Sequence, residues 1–197
     1  MAETLTKHAF TVAELPNVQD FHCGDEPFEK EVADWLKGPD SPEVDSALTS
    51  IKHPDKPSRV WLYKLGDEVV GFGALAKTDW RWPGKNNDPK LPLSIIIWVG
   101  VQMKYWGQPP GPKEERFSVQ ILDDLVAEAS EDAKTHPVLG LFVHKDNKRA
   151  IKFYKDAGFS DELEQRVEKT GHFKMFIVLD QNALEAAIAA VNNRRGL

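Results

Sequence analysis

The sequence predicts an α/β fold built on a mixed sheet, and three observations carry that expectation. First, "RVWLYKL" and "VVGFGALAKT" flank a Gly-Asp-Glu turn and read as a hairpin from Arg59 to Thr78. Second, "LSIIIWVGVQ" (93–102) and "VLGLFVH" (138–144) are too continuously apolar for half-exposed strands and read as buried ones. Third, a long helical pattern separates those two strands, which permits a parallel crossover between them.

The remaining elements follow in chain order. "FTVAEL" (10–15) alternates like a strand. "PFEKEVADWLKG" (27–38) carries Phe28, Val32, Trp35 and Leu36 at helical spacing, with Pro27 at its start and Gly38 at its end. "SPEVDSALTS" (41–50) reads as a short helix with Ser41 as N-cap and Pro42 at its first position. "DWRWPGKNNDPKLP" (79–92) is polar and rich in turn formers, so it reads as a loop. The long helix runs from Pro112 to Lys134, with Phe117, Ile121, Leu122, Leu125 and Val126 as its apolar stripe. A short helix (147–158) ends at Gly158. A late strand (174–180) and a C-terminal helix (182–193) complete the pattern.

The chain has 197 residues, which suits one domain spanning 1–197 with its own core. No repeat and no linker divides it. A net charge of −6 argues against broad nucleic-acid or acidic-membrane binding and leaves room for a local basic patch. The single cysteine, Cys23, allows no intrachain disulfide. No secretory signal opens the chain, and no stretch approaches the roughly 20 apolar residues of a membrane span. A cytoplasmic protein is the expectation. The spacing of metal ligands is absent.

The most informative stretch is "LGLFVHKDNKRAIKFYKDAGF", Leu139 to Phe159. A buried strand ends, a helix begins at Asn147, and a tyrosine follows seven residues later. Seven residues are about two helical turns, so Tyr154 shares a face with Asn147. Read by themselves, Tyr154 is a core aromatic with a bonded hydroxyl and Asn147 an N-cap. The stretch also resembles the late strand and helix of the GNAT superfamily of acetyl-CoA-dependent N-acetyltransferases. Their pattern there is N-x-x-A-x-x-x-Y-x-x-x-G-F, and Asn147, Ala150, Tyr154, Gly158 and Phe159 match each fixed position. The resemblance implies a GNAT fold with a central mixed sheet of about six to seven strands flanked by helices. It implies acetyl-CoA as acyl donor and a primary amine, on a small molecule or a peptide, as acceptor. It makes Tyr154 the acid that protonates the departing thiolate, and it sets Asn147 beside the pantetheine arm.

On the same resemblance, Val99, Gly100 and Val101 align the pantetheine as an added strand would. Gly100 stands for a bulge there or for a packing accommodation. The superfamily's pyrophosphate loop, Q/R-x-x-G-x-G/A, falls on "WGQPPG": Trp106 at the Q/R position, Pro109 at the first glycine and Gly111 at the second. Prolines have no N–H, so Gly107, Gln108 and Gly111 remain as phosphate-side residues. Lys113 and Arg116 either add charge for the phosphates or are solvated surface.

"FHCGDEPFEKEVADWL", Phe21 to Leu36, resembles the F-x-C-G-x-x-x-L-x-x-W-L opening of a GNAT branch that includes tRNA-acetylating toxins. Phe21, Cys23 and Gly24 match, Phe28 stands at the leucine, and Trp35 and Leu36 come about one turn late. That branch keeps tRNA open as an acceptor, although the acidic charge weighs against it. A third reading is a GNAT-like ligand- or partner-binding module that has lost acetyl transfer. A homodimer is compatible with each. Cys23 reads as a structural thiol sooner than a nucleophile. His144 and His172 are the candidate bases, Asp25 and Glu26 could attract a cationic amine or simply open the helix, and Trp80 and Trp82 pack against the sheet sooner than they overhang an acceptor cleft.

Overall fold

The structure is a computed structural model. It describes residues 4–38, 45–55, 57–81, 90–110, 112–160 and 171–195. A six-stranded sheet runs in chain order: β1 (Thr6–Ala9), β2 (Arg59–Leu65), β3 (Glu68–Arg81), β4 (Lys90–Val101), β5 (Val138–His144) and β6 (His172–Val178). β1 with β2, β2 with β3 and β5 with β6 pair antiparallel. β4 and β5 pair parallel, Ser94 to Ile96 against Leu139 to Leu141. The sheet is therefore mixed, as the hairpin and the two apolar runs require.

The chain divides into two compact units, Met1–Ala76 with Ile97–Leu125, and Lys77–Ile96 with Val126–Leu197. In the first, helix α2 (Pro27–Lys37) buries Ala33, Trp35 and Leu36. Trp35 stacks on Phe72 at 6.0 Å between ring centroids, and Phe21 meets the same ring edge-on at 5.5 Å. α4 (Phe117–Ser130) packs against two glycines of β3. A Cβ on Gly71 would come within 2.6 Å of Ile121 Cδ1, and one on Gly73 within 2.8 Å of Leu125. These glycines let a helix lie close on the hairpin.

The ion pair that ties β2 to the N-terminal segment is half-buried. Lys64 Nζ lies 2.6 Å from Glu14 Oε2. The Lys64 bond first, then that from Asn17, holds the Glu14 carboxyl below its ordinary 4.5. A lowered folded-state value means that the stabilisation is complete above pH 4.5 and is lost as pH falls through the lower value. Glu14→Gln should therefore cost about 2 kcal/mol near neutrality. The gap in melting temperature from the wild type should narrow below pH 4.5. A gap that stays constant down to pH ~3 would show that Glu14 ionisation contributes nothing.

In the second unit, α5 (Lys148–Asp156) follows β5, and α6 (Gln181–Arg195) follows β6. Tyr154, Phe159, Leu139, Leu141, Val143, Met175 and Leu184 are buried there. Trp80 lies over Gly140, where a Cβ would come within 2.6 Å of its ring. Ser94 Oγ, on β4, is fully buried and has no partner among the described residues, at a cost of about 1–3 kcal/mol.

Several expectations are corrected. "FTVAEL" is not a strand: β1 precedes it, and Val12–Glu14 is a 3-10 turn leading into α1 (Leu15–Val18). Only its first residue meets a strand, Phe10 N–H donating to Val60 O of β2 at 2.8 Å, and Val12 is 51% exposed. The expected loop at 79–92 begins and ends as sheet, because β3 runs to Arg81 and β4 starts at Lys90. Trp82 and the rest of that loop lie outside the described residues. The helix expected from Pro112 to Lys134 is shorter. Arg116 is extended (ψ 140°) after a 3-10 turn, Lys113–Glu115, and turns occupy 131–135 beyond Ser130. The short helix is α3 (Ala47–Ile51), capped by Ser46; Ser41 and Pro42 lie outside the described residues.

Candidate functional site

The segment that carries the resemblance folds as the spacing requires. Asn147 is the N-cap of α5, its Oδ1 accepting the Ala150 N–H at 2.9 Å. Gly158 takes φ +90°, the left-handed exit that ends the helix. Tyr154 is 8% exposed and packs against Phe159 at 5.7 Å and Phe153 at 5.4 Å. So the ring is a core aromatic. The hydroxyl differs from the usual core tyrosine, because it has no hydrogen-bond partner among the described residues. Burial pushes the phenol above its ordinary value of 10.0, which keeps it protonated.

At the mouth of β5, His144 and His172 are cross-strand partners with rings 5.2 Å apart and nearly perpendicular. His144 Nδ1 lies 3.7 Å from Asp146 Oδ2. Among the described residues no group of three metal-ligating side chains converges.

In the other unit, Val99, Gly100 and Val101 close β4 and lie outside its ladder with β5. Gln102 N–H donates to Val70 O at 2.8 Å, so residue 102 turns towards β3. Backbone direction alternates along a strand. Gly100 therefore also turns towards β3, and its carbonyl oxygen lies 2.7 Å from where a Gly71 Cβ would stand. Val99 and Val101 turn to the opposite edge. There Trp106 Nε1 donates to Val101 O at 3.0 Å. Val99 thus turns its N–H and C=O to the edge away from β3, whereas the Val101 carbonyl is taken. For Gly100 the packing reading gains support: a Cβ would come within 2.9 Å of Phe72 and Val32 and 3.1 Å of Cys23 Sγ. Cys23 is buried at 5% exposure, which suits a structural thiol.

The loop after β4 is knit to itself. Gly107 has φ +71° with open space around its α-carbon. Gln108 N–H donates to Tyr105 O at 3.1 Å, so it is not aimed outwards. Gly111 lies outside the described residues. Lys104 forms an ion pair with Glu68, whose other oxygen accepts from Tyr105 Oη at 2.7 Å. The Lys104 bond, ahead of the Tyr105 bond, holds the Glu68 carboxyl below its ordinary value.

Sequence reasoning missed one junction. Gly24 has φ +135°, and a Cβ there would overlap the Glu29 carboxylate and come within 2.9 Å of the Trp106 ring. Glu29 Oε2 accepts the Glu26 N–H at 3.1 Å, and Met103 N–H donates to His22 O at 2.8 Å. The entry to α2 and the loop after β4 are thereby joined. The Glu-Pro-Phe-Glu spacing was the available signal, disguised because glutamate is a rare N-cap.

No protein-family model and no curated protein matches this sequence. Solved structures do match in fold. A bacterial toxin is 18% identical, with 94% of this chain and 96% of that one covered and a TM-score of 0.63. AtaTR bound with AcCoA is 15% identical, with 94% and 99% covered and a TM-score of 0.61. AtaT complexed with acetyl-methionyl-tRNAfMet is 17% identical, with 93% and 98% covered and a TM-score of 0.57. The fold of this chain is the GNAT fold. At such identities the likeness speaks for the fold alone. No helix of the described residues is long and apolar enough to cross a membrane.

Proposed function

We propose that residues 1–197 form one GNAT domain that moves an acetyl group from acetyl-CoA to a primary amine. The observation that carries this reading is Tyr154. On the GNAT fold, two turns beyond a capping Asn147, it holds a protonated hydroxyl that has no hydrogen-bond partner among the described residues. Val99 aligns the pantetheine through its backbone, and Asn147 meets the arm with its side-chain amide. The amine attacks the thioester carbonyl, the tetrahedral adduct collapses, and the C–S bond breaks. Tyr154 gives its proton to the departing sulfur. The acceptor is a small molecule or a peptide, and the compartment is the cytoplasm. A calorimetric titration should give saturable acetyl-CoA binding below millimolar ligand; no heat at millimolar ligand would sink the reading.

One set of residues favours the toxin-like acceptor as a second reading. α5 exposes Lys148, Arg149, Lys152 and Lys155 in a chain of net charge −6, and basic faces attract RNA phosphates. The AtaT neighbour complexed with acetyl-methionyl-tRNAfMet adds support. Incubation with labelled acetyl-CoA separates the readings: label in charged tRNA favours the second, label in free amines the first. A protein that binds acetyl-CoA but labels neither is the binding module that the loop prolines suggest.

A further inference from the structure

We infer that this protein recognises its donor through the pantetheine arm and not through the nucleotide. Its donor class is then pantetheine thioesters in general, including those without the adenosine diphosphate part of coenzyme A. This rests on the acetyltransferase reading above and narrows its donor.

A pyrophosphate is held by backbone N–H groups aimed outwards from a loop and a helix start. Among the described residues of this loop most of those groups are turned inwards. Tyr105 N–H donates to Gln102 O at 2.9 Å, Trp106 to Met103 O at 3.1 Å, and Gln108 to Tyr105 O at 3.1 Å. Pro109, Pro110 and Pro112 have none to give. Glu115 N–H donates to Pro112 O at 3.1 Å, and Arg116 to Lys113 O at 3.2 Å. The first N–H of α4, that of Phe117, donates back to Gln108 O at 2.8 Å. Gly107, Glu114 and Ser118, the last on the first turn of α4, make none of these bonds, and Gly111 lies outside the described residues.

Side-chain charge does not replace what the backbone withholds. Lys104 is neutralised by Glu68. Lys113 and Arg116 are exposed, where a cation in water contributes little. Opening the loop towards a phosphate would break several of these internal bonds, which offsets what the new ones supply. The strand keeps its part: Val99 turns its N–H and C=O away from β3, the pair an extended amide arm needs. The balance of recognition thus moves from the nucleotide to the arm.

The test is calorimetry on the full chain with coenzyme A, pantetheine and adenosine 3′,5′-bisphosphate in turn. Pantetheine is expected to bind within about tenfold of coenzyme A, with no competition from the bisphosphate at millimolar concentration. Coenzyme A binding more than about tenfold tighter than pantetheine, or displacement by the bisphosphate, overturns the inference and leaves the acetyltransferase reading standing. Binding of neither coenzyme A nor pantetheine removes both.

Discussion

Tyr154→Phe is expected to lower kcat with acetyl-CoA by about 10²-fold or more while changing the affinity for acetyl-CoA little. The ring is 8% exposed and held by Phe153 and Phe159, so phenylalanine fills the same space. The hydroxyl has no partner among the described residues, so its removal strands no buried group. The melting temperature should therefore stay near that of the wild type, and the loss should fall on the step that needs a proton. Its raised pKa makes Tyr154 a weak acid. The departing thiolate forms in the same dry surroundings and holds a proton more tightly there. The raised value also fixes the pH behaviour. The phenol stays protonated through its ordinary value of 10.0 and ionises only above it, so Tyr154 gives no falling limb below pH 10.0. Unchanged turnover in Tyr154→Phe, measured by thiol release, would remove the residue from the acid role and return it to packing.

Gly24→Ala should be the most damaging small substitution, at about 3 kcal/mol. Three effects add. The φ of +135° is one that side chains rarely adopt. The new methyl would displace the Glu29 carboxylate that caps α2, and it would press on Trp106, whose indole holds Val101 O. Gly66→Ala is the control, because its φ is +57° and a Cβ there meets nothing within 4 Å. Urea denaturation should show an unchanged slope and a midpoint shifted about three times as far for Gly24→Ala as for Gly66→Ala. Equal shifts would mean that the junction of α2 with the loop adds nothing beyond backbone strain.

Much of this was legible in the chain. The apolar runs at 93–102 and 138–144, the turn at Gly66 and Asp67, and the pattern from Asn147 to Phe159 each reappear as an element. Their information is local, in periodicity, caps and breakers, and the chain expresses it wherever it packs. The misreadings share one cause. "DWRW" reads as a loop although Trp80 lies over Gly140, and "FTVAEL" reads as a strand although only Phe10 bonds to one. Pairing and cover come from segments far away in sequence, so alternation alone cannot report them.

The sequence by itself determined the hairpin, the two apolar strands with a helix between them, the capped helix of Asn147 and Tyr154, and the shortage of N–H groups that Pro109, Pro110 and Pro112 impose on the loop. Only the tertiary structure decided where the remaining groups turn. It showed Gln108 N–H bonded to Tyr105, Val101 O held by Trp106, and Tyr154 buried with no partner for its oxygen among the described residues. A residue type fixes how many donors and acceptors it brings. Which of them are already satisfied depends on atoms that the fold alone carries within about 3 Å.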